Sequence, residues 1–298
     1  MTPPLLGGRE KIPLRKGGKG VVTTHNDNGN LNLFTTFKIN DMTKGNIKHE
    51  ILVVSDHDEL CRRAAKEFVR IAHDSIQAKG YFTIVLSGGS TPAGLYKLLA
   101  SDDYREQVLW SNVYFFWGDE RCVPPYHKDS NYNMARQILL DKVPIPKENI
   151  FRMPAEQADH DQASAEYEQT IRTFFHTKQE ELPRFDLILL GMGNDGHTAS
   201  LFPGTPALFE NELLVTANYI EKLGLYRLTL TVPLINQAKN IIFLISGESK
   251  APVLKEVLEG EYQPQKLPSQ FIKPVDGRLL FIVGRVAASK LTNFLKYC

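Results

Sequence analysis

An aspartate and a histidine two residues apart, Asp195 and His197, close the glycine-rich stretch Gly191-Met192-Gly193-Asn194-Asp195-Gly196-His197, which follows the apolar run Phe185–Leu190. An imidazole ordinarily titrates near pH 6.5, so a histidine at the end of a strand is suited to taking a proton near neutrality. The same glycines also fit G-x-G-x-x-G, the phosphate turn of dinucleotide-binding folds. That reading requires an acid at the end of the next strand, about 20 residues on. Glu210 and Glu212 stand near that distance but precede the apolar Leu213-Leu214-Val215, and a dinucleotide would leave Asp195 and His197 without a task. The stretch therefore reads as a catalytic turn with His197 as general base. The seven other histidines lack such company and read as structural or surface groups.

Three further stretches carry anion-binding chemistry. Ser87-Gly88-Gly89-Ser90-Thr91-Pro92 follows the apolar Phe82–Leu86. Its glycines let backbone N–H groups approach an anion, Ser90 and Thr91 add hydroxyls, and Pro92 suits the first turn of a helix. Asp119-Glu120-Arg121 follows Val113–Trp117, where the three charges fit a solvated turn but Arg121 could also form a bidentate contact with phosphate. Ser246-Gly247-Glu248-Ser249-Lys250 follows Ile241–Ile245, and Lys250 opens a helix, where the dipole disfavours a cation unless an anionic ligand is near.

The elements that must position these groups alternate along the chain. Strands are expected at 51–54, 82–86, 113–117, 185–190, 227–232, 241–246 and 279–283, with a short extended piece at 149–153. Helices are expected across 60–76, 93–100, 131–140, 158–178, 250–258 and 287–297. Such alternation predicts an α/β fold, a three-layer Rossmann-like and mostly parallel sheet with helices on both faces. Ligands bind such sheets outside the carboxyl ends of the strands, where all four stretches fall.

The chain has 298 residues, 42% of them hydrophobic, enough for a substantial core. Lys plus Arg number 35 against 34 Asp plus Glu, which leaves no basic footprint for nucleic acid or membrane, and no apolar run approaches the roughly 20 residues that span a bilayer. Cys61, Cys122 and Cys298 are too few and too scattered for a disulfide framework or a zinc knuckle, which points to a reducing cytoplasm. Residues 1–45 mix Pro, Gly, Lys and Asn without period and are expected to be disordered or loosely attached to a single domain over 46–298. They are basic and acid-poor like a transit peptide but lack its amphipathic arginine-rich helix.

Taken in order, SGGSTP, FFWGDERCVP, GMGNDGHTASLFPG and SGESKA resemble the 6-phosphogluconolactonases of the glucosamine-6-phosphate isomerase-like superfamily, over roughly residues 50–298. The resemblance implies hydrolysis of 6-phosphoglucono-1,5-lactone in the oxidative pentose phosphate pathway, without metal or organic cofactor, by a monomer or weak homo-oligomer. It places the catalytic histidine and its aspartate on His197 and Asp195, Asp195 either orienting the imidazole or contacting substrate hydroxyls. It places substrate and phosphate contacts on Gly88, Gly89, Ser90, Thr91, Asp119, Arg121, Gly193, Asn194 and Lys250. The related deaminases carry an acid after their D-G-H turn, whereas Thr198–Pro203 contains none, which favours the lactonase. A sugar-phosphate sensor on the same fold would need an attached DNA-binding helix-turn-helix, which residues 1–45 do not supply.

Overall fold

Strands rich in Val, Ile, Leu and Phe are stable only where both faces of their sheet are covered, and such strands form the centre of this protein. The computed structural model describes residues 18–23, 35–41 and 49–292. In chain order the strands are β1 (Gly18–Thr23), β2 (Thr35–Asp41), β3 (His49–Val54), β4 (Phe82–Leu86), β5 (Val113–Trp117), β6 (Asp119–Arg121), β7 (Leu187–Leu190), β8 (Val215–Ile220), β9 (Leu225–Leu230), β10 (Asn240–Ile245) and β11 (Arg278–Gly284). The helices are α1 (His57–Lys79), α2 (Ser90–Leu99), α3 (Asp102–Arg105), α4 (Asn131–Ile138), α5 (His160–Phe175), α6 (Val232–Asn236), α7 (Ala251–Glu259) and α8 (Arg285–Ala288).

Among the described residues eight strands form one sheet in the order β1-β2-β3-β11-β10-β7-β4-β5. From β3 to β5 every pairing is parallel, while β1 and β2 add to the β3 edge as an antiparallel hairpin. All residues of β4 and β7 are buried, so helices must cover both faces, as expected for this α/β class. The polar residue of β4, Thr83, is tolerated because its backbone N–H and its hydroxyl both donate to the buried carboxylate of Asp186, at 2.9 and 2.8 Å. Lys79 and Lys239 also reach Asp186, at 2.8 and 3.0 Å. This cluster fastens the amino-terminal end of the sheet, opposite the end at which the glycine turns emerge.

Helix α1 illustrates how local sequence sets the layers. Asp56 caps it by accepting from the Glu59 N–H at 2.8 Å, Gly80 ends it at φ 85°, and Leu60, Ala64, Phe68, Ile71 and Ala72 form its buried stripe. The chain turns outward from β4 to β5 but returns from β7 through β10 to β11 on the other side of β4. The switch of direction thus lies between β4 and β7, where open α/β sheets leave a crevice at their carboxyl ends.

Strands β6, β9 and β8 form a second, antiparallel sheet in that order, with α5 packed against β8 and β9. Three sequence expectations differ from this arrangement. Asp119–Arg121 is a strand rather than a turn, the run at 227–232 belongs to the second sheet as Leu225–Leu230, and the piece at 149–153 is a 3₁₀ turn, Lys147–Asn149, followed by a single bridge from Ile150 to Phe115. Strand β8 was not anticipated. Most of residues 1–45 lie outside the described residues, and the two described segments among them are β1 and β2. The helix expected at 287–297 ends at Ala288 as α8, and residues 293–297 of that span lie outside the described residues. Among the described residues no helix is long and apolar enough to cross a membrane.

Candidate active site

A pocket of about 460 Å³ opens at the switch point. It is lined by the turn after β4 (Ser87–Pro92), the turn after β7 (Gly191–Gly193 and His197–Ala199), Asp119 and Arg121 of β6, Arg227 of β9, and Ser246 and Lys250 after β10. Residues of five strands or of the turns after them, far apart in sequence, therefore meet in one crevice.

The dyad comes from the turn after β7. His197 Nδ1 lies 2.5 Å from Asp195 Oδ1, and the ring stacks on Phe202 with centroids 4.0 Å apart and planes at 21°. Lys222 reaches the other carboxylate oxygen, Asp195 Oδ2. Burial alone would raise the Asp195 pKa, but hydrogen bonds from His197 and Lys222 outweigh it and hold the carboxyl well below the usual carboxylate range. An ionised carboxylate can only accept, so Nδ1 carries a proton, and in the neutral form of the ring the lone pair is then on Nε2.

The glycines of the turn make room for the dyad. A Cβ on Gly193 would lie 2.0 Å from His197 Nδ1 and 2.6 Å from Asp195 Oδ1, so the side chains occupy the volume that any other residue would fill. Gly196 stands at φ 77° with Leu267 in the space a Cβ would need, and its carbonyl accepts from the Ser269 N–H at 2.9 Å and the Ser269 hydroxyl at 2.8 Å. The Gly193 N–H donates to His197 O at 2.8 Å, and the Thr198 hydroxyl to Gly191 O at 2.8 Å. These bonds fix the backbone of the turn on both sides of His197.

The groups expected to meet an anion line the same pocket as His197. Helix α2 starts at Ser90 with Gly89 as its N-cap at φ 103° and no capping side chain, so its first-turn N–H groups are left for a ligand. Thr91 Oγ1 and Ser246 Oγ are 3.1 Å apart, which ties this helix start to the end of β10. Ser87 Oγ is buried in the pocket wall without a hydrogen-bond partner among the described residues. Lys250 is half-buried, and burial lowers its pKa, a shift that Asp195 partly opposes.

Arg121 and Arg227 are register partners across β6 and β9, and the Nε of each is buried without a hydrogen-bond partner among the described residues. Burial first and then repulsion from Arg121 lower the Arg227 pKa, with Asp119 and Glu120 opposing. Two guanidiniums held side by side with unused donors suit a dianion.

Asp119 and Glu120 are not the solvated charges of a turn. Glu120 is 3% exposed and accepts from the Arg121, Asn131 and Tyr132 N–H groups at 2.7, 2.7 and 2.8 Å and from Ser130 Oγ at 3.0 Å. Its burial raises its pKa, which these four donors oppose. This carboxylate is what makes a strand of three charged residues: it anchors β6 to the start of α4. Asp119 accepts from Ser200 Oγ at 2.7 Å and from Asn131 Nδ2 at 3.3 Å, and so joins the loop that carries the dyad to the start of α4. A Cβ on Gly88 would lie 1.9 Å from Asn131 Oδ1, which explains that glycine by close approach.

The structure thus brings Gly88, Gly89, Ser90, Thr91, Asp119, Arg121, Gly193, His197 and Lys250 to one pocket, with Asp195 behind His197. Asn194, expected as a substrate contact, is exposed and does not line the pocket. The sequence reading missed Arg227, Lys222 and Asn131, and gave Ser87 no role of its own within its stretch. Neither Arg227, inside β9, nor Lys222, in the turn before it, carries a signal in the sequence, because only the folding of the β8–β9 hairpin brings them to the pocket.

The family model for "Glucosamine-6-phosphate isomerases/6-phosphogluconolactonase" matches residues 55–281. A 6-phosphogluconolactonase of Synechocystis sp. is 46% identical over 217 residues, covering 73% of this chain and 88% of the relative. One from Nostoc sp. is 40% identical over 246 residues, covering 83% of this chain and 100% of the relative. Among solved structures, 6-phosphogluconolactonase from Trypanosoma cruzi superposes with a TM-score of 0.73 at 32% identity, over 83% of this chain and 98% of that one.

Proposed function

The chain belongs to the glucosamine-6-phosphate isomerase/6-phosphogluconolactonase family, with 6-phosphogluconolactonases as its relatives at 40–46% identity, and from this premise we propose a mechanism in which His197 is the base of lactone hydrolysis. The substrate is 6-phospho-D-glucono-1,5-lactone and the product 6-phosphogluconate, a step of the oxidative pentose phosphate pathway. The observation that carries the reading is the ionised Asp195 behind His197 Nδ1, which leaves Nε2 as a proton acceptor in a pocket lined by cations.

A lactone is an activated ester, so one base acting on water can replace a nucleophilic side chain. Nε2 takes a proton from water as the oxygen attacks C1. The carbonyl oxygen becomes an oxyanion, which backbone N–H groups and Lys250 are suited to stabilise. Collapse breaks the bond from C1 to the ring oxygen, and the imidazolium returns its proton to that oxygen. The new carboxylic acid ionises to water. Asp195 stabilises the imidazolium in between without taking its proton.

The 6-phosphate bears about 1.5 to 2 negative charges near neutrality. Arg121 and Arg227 have unused donors for it, and the start of α2 with Ser90 and Thr91 offers backbone N–H groups and hydroxyls. Binding the far end of the sugar holds C1 over the base. The test is to supply purified protein with freshly generated 6-phosphogluconolactone and to follow 6-phosphogluconate above the spontaneous rate. Release of ammonia from glucosamine 6-phosphate, with no effect on the lactone, would overturn the reading.

A further inference from the structure

Asp195 has two carboxylate oxygens, and each has a different partner. Oδ1 meets His197 Nδ1 at 2.5 Å, and Oδ2 meets Lys222 Nζ. Lys222 belongs to neither the turn after β7 nor the main sheet. It lies in the 3₁₀ turn Glu221–Leu223 at the tip of the β8–β9 hairpin, 27 positions along the chain from Asp195. Two further contacts show that this reach is built rather than incidental. Lys222 Nζ also lies 4.8 Å from the centroid of the Phe202 ring, the same ring on which His197 stacks, and both Lys222 and Leu223 line the pocket. One aromatic ring thus carries the imidazole and the ammonium, and one carboxylate bridges them.

We propose that Lys222 is a positioning residue for the base: it occupies Asp195 Oδ2, leaves the carboxylate a single acceptor for Nδ1, and limits how far Asp195 raises the proton affinity of the imidazole. This inference rests on the lactonase reading with His197 as base. A carboxylate directly paired with a histidine favours the imidazolium, which as resting form would be useless as a base. A cation on the far oxygen reduces that bias while preserving the bond that fixes the tautomer. The charged and titratable groups facing the pair are Lys222 from the hairpin, Lys250 from the turn after β10, Asp119 and Arg121 from β6, and Arg227 from β9. Among these, Lys222 is the one that hydrogen-bonds Asp195 directly among the described residues. The second sheet would then do more than support Arg121 and Arg227: its hairpin tip sets the electrostatics of the base.

The experiment follows His197 itself in the full-length protein. Its imidazole resonances, assigned by their loss in His197→Asn, are titrated by NMR in the wild type, Lys222→Met and Lys222→Arg, and kcat/KM is measured against pH in parallel. Lys222→Met should raise the His197 midpoint and move the acidic limb of kcat/KM upward by about 0.5 to 1 pH unit, the effect of one charge lost beyond a carboxylate in a partly solvated site. Lys222→Arg should restore both to near wild type. A midpoint that stays put in Lys222→Met overturns the proposal. A rise in KM with an unmoved limb does so as well, and would make Lys222 a substrate contact. Should the protein turn over no lactone, the reading of the reaction fails, whereas the NMR titration still decides whether Lys222 governs the imidazole.

Discussion

Replacing Gly193 with alanine separates a catalytic turn from a cofactor turn. The added Cβ would stand 2.0 Å from His197 Nδ1 and 2.2 Å from Cε1, whereas ordinary contacts begin at 3.4 Å, so the ring must retreat by about 1.4 Å. The backbone of Gly193 is outside the left-handed region, so alanine meets no conformational penalty, and the burden falls on the dyad. Displacing a reacting group by about 1 Å costs roughly 10²-fold in rate, so kcat should fall by at least about that factor while KM changes little. Gly191 is the control, because a Cβ there meets no atom within 4 Å. Gly191→Ala should leave kcat essentially unchanged and confine any effect to KM. The assay is initial-rate hydrolysis of 6-phosphogluconolactone by both variants, with circular dichroism to show that each is folded. A folded Gly193→Ala enzyme with undiminished kcat would refute the reasoning, and equal damage at both positions would restore the view that the glycines serve close approach of a ligand.

Other perturbations read other parts of the site. Arg227→Ala should raise KM for the phosphorylated lactone roughly 10- to 100-fold, the worth of one charge-assisted contact, and leave unphosphorylated gluconolactone almost unaffected; equal losses on both would place Arg227 at the carbonyl. Because burial lowers the Lys250 pKa, its ammonium is fully present at low pH and is lost, as pH rises, before the ordinary lysine range. Affinity for 6-phosphogluconate, measured by calorimetry, should therefore weaken as pH rises through that depressed value, and Lys250→Met should abolish this alkaline limb. A chain starting at Met42 loses the β1–β2 hairpin and uncovers the β3 edge, yet the turns that line the pocket follow β4, β7 and β10, so kcat should persist while solubility declines. Loss of kcat in a folded truncated protein would contradict that view.

Much of the site was legible because it follows strands that announce themselves. Phe82–Leu86 and Val113–Trp117 are apolar enough to be buried on both faces, and the glycine turns behind them stand where an α/β sheet binds ligands. What failed to show was anything created by pairing at long range. Asp119-Glu120-Arg121 looks like a solvated turn until Glu120 is supplied with the N–H groups of Asn131 and Tyr132, eleven and twelve residues on. The polar Thr216 and Asn218 and the small Ala217 between them hide β8, whose partner is β9 and not a neighbour in the main sheet. Arg227 and Lys222 matter only because that hairpin folds back over the crevice. The question of which glycine serves which purpose was likewise settled by what lies within 2 to 3 Å of each Cα substituent, a property no spacing encodes.

The most direct test of the account is the turnover of His197→Asn. The amide keeps a hydrogen-bonding group in place of the imidazole but cannot accept the water proton. With 6-phosphogluconolactone at saturating concentration, corrected for spontaneous hydrolysis, kcat should fall by roughly 10² to 10⁴ with fold and KM preserved. A folded His197→Asn enzyme that keeps near-wild-type kcat, with the same fall in kcat/KM on acidification, would contradict the assignment of His197 as the base.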